Sequence, residues 1–146
     1  MKEITGNLWD GDYNFATWRC ITTNGFRKKN GEGVMGAGVA KEANARYPNL
    51  AKDLGTHLFS HGNTLYPMLE HRLIMFPVKH NWWETASLDL IQGSTTALMD
   101  WLDDRREVNT TVILPWPGCG NGGLTKDVVR PIIEVLPDNV LVIDKA

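Results

Sequence analysis

The chain has 146 residues, 42% hydrophobic and 22% charged, with a formal net charge of −2. That size and mix fit one soluble globular domain over residues 1–146, and the slight negative charge excludes a whole-protein basic field for nucleic acid. Two cysteines, Cys20 and Cys119, exclude a disulfide framework or the usual four-ligand zinc site, and no apolar run reaches signal-peptide or membrane-spanning length, so a cytoplasmic protein with no membrane partner is expected.

In chain order, residues 2–8 predict a strand ending at Gly6-Asn7, and residues 17–23, rich in β-formers, a second strand. Residues 24–33 are polar and glycine-rich and read as a loop. Residues 35–47 read as a helix closed by Pro48, followed by a short helix over 49–58. Two short strands are expected at 63–66 and 73–76. Over residues 85–102, Leu88, Ile91, Leu98, Trp101 and Leu102 recur at helical spacing. Residues 110–114 form a β-branched strand buried on both faces. Residues 124–135 predict a helix despite Pro131, and 139–143 a final buried strand. No internal repeat or linker divides the chain. Strands alternating with helices imply an α/β fold with a largely parallel sheet covered on both faces.

Two glycine-rich loops each follow a strand and precede a helix. The first is Gly33-Val34-Met35-Gly36-Ala37-Gly38-Val39-Ala40, and the second Pro117-Gly118-Cys119-Gly120-Asn121-Gly122-Gly123-Leu124. Glycine lets backbone approach a ligand closely, and a helix start presents unpaired N–H groups and partial positive charge. Each loop is a phosphate cradle by this reading, and the pair suits a diphosphate gripped from both sides, at the carboxyl ends of strands where open α/β sheets bind ligands. A dinucleotide-binding fingerprint fits poorly, because helix and Pro48 follow Gly38 where a second strand ending in an acidic residue is required. A phosphate-binding loop of the Gly-Lys-Ser/Thr type is absent, since Gly123 is followed by Leu124-Thr125-Lys126.

These residues resemble the macro domain family. Gly6-Asn7-Leu8 stands where macro domains usually carry Gly-Asp-Ile or Gly-Asp-Leu, Ile21-Thr22-Thr23-Asn24 where they carry a strand ending in asparagine, and the two glycine loops where they carry their phosphate loops. The resemblance implies a three-layer α/β fold, a mixed and mostly parallel six-stranded sheet between helices, with ADP-ribose in a cleft along its top. It implies that Asn7 meets the adenine amino group and that Leu8 or Trp9 lines the adenine pocket. The first loop, Gly33 to Val39 with Gly36, Ala37 and Gly38 at its centre, would hold the diphosphate and distal ribose. Gly118, Cys119, Gly120, Asn121, Gly122, Gly123 and Leu124 would close from the other side, and Asn24 would lie beside the distal ribose. Two departures stand out. Asn7 replaces the usual aspartate, which removes charge assistance from the hydrogen bond to adenine. Residues 25–32, including Arg27, Lys28 and Lys29, lengthen the loop before the first phosphate cradle.

Lys79, after the strand that includes Phe76, matches the lysine of a branch that removes ADP-ribose from glutamate or from DNA bases; Gly122-Gly123-Leu124 sides with the DNA-acting members. A lysine amine can attack the anomeric carbon of an opened ribose, or an ammonium can stabilise charge on the leaving group. Lys79 and Asn24 are therefore the catalytic candidates. His80 reads as structural, and Trp82 and Trp83 either rim the cleft or pack in the core. The expected activity is an ADP-ribosyl glycohydrolase in a bacterial or phage-infected cell, acting on modified DNA, RNA or protein, with a cognate ADP-ribosyltransferase as partner. The alternatives are a non-catalytic ADP-ribose reader and an ADP-ribose 1″-phosphate phosphatase. A monomer is expected, with no cofactor; no His, Cys, Asp or Glu cluster has ligand spacing along the chain, so no metal is expected either.

Overall fold

Short runs of β-branched and apolar residues form a six-stranded sheet among the described residues, 1–11, 16–105 and 108–145 of a computed structural model. The strands are β1 (Lys2–Thr5), β2 (Thr17–Asn24), β3 (Tyr66–Met68), β4 (Leu73–Lys79), β5 (Thr111–Pro115) and β6 (Val140–Asp144). Their order is β1-β6-β5-β2-β4-β3. All neighbouring pairs are parallel except β3 with β4. The helices are α1 (Gly38–Arg46), α2 (Leu50–His61), α3 (Leu88–Asp104) and α4 (Lys126–Ile133). The largely parallel sheet is what the alternation implied, and its mixed, six-stranded form between helices is what the resemblance implied.

The strand period of two divides the core. Ile74, Phe76 and Val78 of β4 pack with Trp18, Cys20, Val112, Leu114, Val140 and Val142 under α3 and α4. Leu73 and Met75 of the same strand point the other way, with Ile21, Ile113 and Ile143, toward Ala40, Ala43, Leu50 and Leu54 of α1 and α2. A run such as Leu73 to Val78, buried at every position, is what a central parallel strand requires. Pro77 lies in it because β3 pairs only as far as Met75, so no second ladder demands its missing N–H. Among the described residues no helix is long and apolar enough to cross a membrane.

Several element boundaries move from their sequence positions. The first strand stops at Thr5, since the Asn7 side chain folds the chain into a turn by accepting from Trp9 N at 2.9 Å. The first helix begins at Gly38 rather than 35: Met35 is core, and Ala37 is still extended at φ −149°. The third strand falls at Tyr66–Met68, beyond 63–66, because Asn63 instead donates to the Lys79 carbonyl at 2.9 Å. The long helix starts at Leu88, where the Ser87 hydroxyl accepts from Leu90 N, a standard N-cap. The loop over 24–33 is also more ordered than its polarity suggested. Lys28 N donates to Glu32 O at 2.8 Å, and Arg27 bridges to Gly33 across the turn. The turn rests on α2, where a Cβ on Gly55 would lie 1.8 Å from the Gly31 carbonyl.

Candidate functional site

The parallel strands β6, β5, β2 and β4 end at one edge of the sheet, and a cleft of about 990 Å³ opens there. Thr22, Thr23, Pro115, Trp116, Ile143 and Asp144 line it from the strand ends. Val34, Gly36, Ala37, Gly38, Val39 and Ala40 line it from the first loop, and Gly118, Cys119, Gly120, Asn121, Gly122 and Leu124 from the second.

The two loops present backbone by different means. The first runs into α1, whose N-cap Ala37 makes no side-chain hydrogen bond and whose first turn holds no acidic residue. The free N–H groups and dipole of that turn are left for an anion. A Cβ on Gly36 would meet nothing within 4 Å, so this glycine leaves open space over the cleft. The second loop folds on itself before α4 begins at Lys126. Leu124 N donates to Gly118 O at 2.9 Å, and Gly123 N to Gly120 O at 3.2 Å. Gly118 (φ +75°) and Gly122 are required by packing: a Cβ on Gly122 would lie 2.4 Å from Gly118 O. Gly120 has open space around it. The second wall is thus a tight glycine turn, not the helix start that the sequence suggested.

Lys79 is the last residue of β4. A register irregularity between Thr23 and Asn24 sets Asn24 directly opposite Lys79, and both line the cleft. Lys79 Nζ donates to the Asn121 carbonyl at 3.1 Å and to the Trp82 carbonyl at 3.3 Å. The Asn24 amide is spent on backbone: Nδ2 donates to Val34 O at 3.1 Å, and Oδ1 accepts from Phe26 N at 3.0 Å. That pair of bonds fixes the first loop against β2. Trp82 lines the cleft at this end, edge-to-face with Trp83, which in turn meets Phe26. Both tryptophans are more than half exposed, so neither is core. The exposed His80 lies outside the cleft wall.

The remaining candidates sit elsewhere. Leu8 and Met35 are buried in the α1–α2 side of the core. A Cβ on Gly33 would meet Leu54 at 2.7 Å, which makes it a packing glycine. Gly123, at φ +77°, is exposed behind the wall. Asn7 lies beyond the cleft lining, although Gly6 N donates to Asp144 O at 2.8 Å and so holds this turn beside the β6 end. At that end the cleft takes on residues that no motif marked: Trp116, Lys126, Ile143, Asp144 and Lys145. Lys126 pairs with the Asp144 carboxylate and lies 5.4 Å from the centre of the Trp116 ring. The hydrogen bond from Lys126 holds the Asp144 carboxyl below its ordinary range. Burial pushes the Cys119 thiol up, which disfavours the nucleophilic thiolate. Lys79, Lys126 and Lys145 face a single carboxylate, Asp144, around the cleft, so the site is weakly cationic within an acidic chain. The signal for these residues was their position at strand carboxyl ends.

No family model and no curated protein matches the chain. Solved structures do. The macrodomain of Mycobacterium tuberculosis DarG is 25% identical over 97% of this chain and 95% of its own, with a TM-score of 0.73. The macrodomain of Thermus aquaticus DarG superposes with a TM-score of 0.69 at 20% identity, covering 99% of this chain and 97% of that one. Thermosipho africanus DarTG in complex with ADP-ribose aligns with 90% of this chain at 18% identity and a TM-score of 0.69. This chain spans 38% of the length of that protein. With this sheet order, and a cleft walled by two glycine loops at the strand carboxyl ends, the chain has the macro domain fold.

Proposed function

We propose that the cleft binds ADP-ribose and that the chain hydrolyses ADP-ribosyl linkages. The adenosine half lies toward Asp144 at the β6 end, the diphosphate between the two loops, and the distal ribose beside Asn24 and Lys79. The cleft runs across three inter-strand spacings, about 14 Å, enough to keep the two ends chemically distinct. One observation carries the catalytic reading: the register irregularity that sets Asn24 opposite Lys79 with the Lys79 amine in the cleft. An ammonium has three protons. Two point at the Asn121 and Trp82 carbonyls, and the third is available to a leaving oxygen or nitrogen at the ribose anomeric carbon. Preorganised charge of this kind stabilises a leaving group without reorganisation during the reaction. Similarity to the DarG macrodomains, and to a DarTG that binds ADP-ribose, supports the same reading. Modified DNA or RNA is the favoured acceptor, modified protein the next, and a cognate ADP-ribosyltransferase of a bacterial or phage system the partner that makes the substrate.

A second reading, a reader that only binds ADP-ribose, draws on the same two carbonyl bonds, which suit a lysine that ties β4 to the second loop. Release of free ADP-ribose from modified oligonucleotide, modified glutamate and ADP-ribose 1″-phosphate separates the readings. Release from the first or second supports the hydrolase, release from the third alone makes it a phosphatase, and calorimetric binding without release makes it a reader. No binding at millimolar ADP-ribose sinks both readings.

A further inference from the structure

We infer that Asp53, Glu70 and His71 form a binding site for a divalent transition-metal ion, on the side of the molecule where α2 meets the β3–β4 turn. Their ligand atoms, two carboxylate oxygens and an imidazole nitrogen, all lie within 4.8 Å of one another. The residues reach this spot from two elements: Asp53 from α2, and Glu70 with His71 from the turn before β4. None of the three lines the cleft.

Three features favour a cation here. First, neither carboxylate has an ion-pair or hydrogen-bond partner among the described residues. Two neighbouring anions without a counter-charge repel each other, and a bound cation converts that repulsion into attraction. Burial first, and then the charges of Asp53 and Glu70, push the Tyr66 phenol up, so both carboxylates act on the same spot. Second, the imidazole is oriented by packing, since the Tyr47 ring lies 4.7 Å from that of His71. Third, two more imidazoles lie near Asp53. Asp53 also lines a hollow of about 190 Å³ with His57, His61 and Tyr66, so three of the chain's four histidines gather around one aspartate.

The donor set selects the ion. One imidazole with two carboxylates suits zinc or a similar borderline ion, whereas magnesium and calcium prefer oxygen ligands alone. Metal–ligand bonds of about 2.0–2.2 Å put tetrahedral ligands about 3.4 Å apart. The trio must therefore contract by a little over an ångström at most, within reach of the exposed Glu70 side chain. Water takes the remaining positions. A bound ion would staple α2 to the hairpin, and its stabilisation would appear as a rise in Tm.

Titration of the chelator-treated, desalted protein with zinc, by calorimetry and thermal unfolding, tests the site. The expected result is one ion per chain with a dissociation constant in the low micromolar range, a Tm higher by several degrees, and no response to magnesium. His71→Ala and Asp53→Ala should each weaken zinc binding at least tenfold, while His80→Ala, which removes the one histidine outside the cluster, should not. Circular dichroism and ADP-ribose titration would show that these variants are folded. No saturable binding below about 100 μM, or affinity unchanged in both His71→Ala and Asp53→Ala, overturns the inference.

Discussion

Gly120→Glu separates the cleft from the fold that carries it. A Cβ at Gly120 meets nothing within 4 Å, so the variant should fold with stability close to wild type, as surface substitutions do, within about 0.5 kcal/mol. The side chain must then occupy the cleft, where the proposed diphosphate lies. One carboxylate held about 5 Å from one phosphate charge, at an effective dielectric near 20, costs about 3 kcal/mol, or roughly 200-fold in affinity. Gly36→Glu acts in the same way from the opposite wall, since its Cβ position is equally open. The contrast is Gly122→Ala. Its Cβ would lie 2.4 Å from the Gly118 carbonyl and 2.7 Å from its Cα, so backbone must shift, at about 1–3 kcal/mol of stability. Thermal unfolding and ADP-ribose calorimetry on the three variants measure both axes. A folded Gly120→Glu protein that binds ADP-ribose as tightly as wild type would refute the placement of the diphosphate.

The other expectations concern chemistry, acceptor and pH. Lys79→Ala should lower ADP-ribose release by several orders of magnitude while affinity stays within about tenfold, since a group used in the transition state affects turnover more than binding; wild-type turnover in that variant would end the lysine-dependent reading. Lys28→Ser with Lys29→Ser should flatten the salt dependence of binding to ADP-ribosylated single strands by about 1.4 units of log slope, if both contact phosphate, and leave free ADP-ribose unaffected; equal slopes would favour a protein acceptor. Stability should fall in acid partly through Glu3. The hydrogen bond from Arg130 holds its carboxyl below the ordinary value, so the folded state binds its proton less readily than the unfolded chain. The stabilisation is present above the ordinary carboxylate range and is lost as pH falls through the lowered value. Arg130→Ala should therefore show a shallower fall of Tm on acidification, and curves that stay parallel throughout would contradict this.

The sequence announced the parts of this protein that depend on local chemistry. Leu73 to Phe76 read as a short strand and the β-branched run before Pro115 as a buried one, and the two glycine loops marked both walls of the cleft. What pattern could not supply was whatever depends on register or on packing between distant segments. Asn24 and Lys79 are 55 residues apart, and only the irregularity after Thr23 sets them opposite each other. Thr22, Trp116 and Asp144 line the cleft because their strands end there, not because they belong to a motif. Gly33 and Gly36 look equivalent in the sequence, yet one packs on Leu54 and the other faces open space. Asp53 lies too far from Glu70 and His71 along the chain for ligand spacing to reveal them as a set.

The cations after Asn24 show how far composition leads before geometry takes over. In the sequence Arg27, Lys28 and Lys29 are one run of three cations in the lengthened loop. In the fold they are not equivalent. Arg27 Nε donates to the Gly55 carbonyl at 3.2 Å, and its guanidinium lies 4.9 Å from the centre of the Phe59 ring. Arg27 therefore anchors the turn to α2, a use of the planar guanidinium that a lysine cannot copy. Replacing it together with the lysines would confuse loss of anchoring with loss of charge. Lys28 and Lys29 remain exposed on the turn, which leads through Phe26 to the Trp83–Trp82 pair and so to the Lys79 end of the cleft. Aromatic faces beside lysines are the combination that holds unpaired bases and their phosphates. If nucleic acid is the acceptor, its recruitment rests on two lysines and this aromatic edge, with Arg27 holding the turn in place.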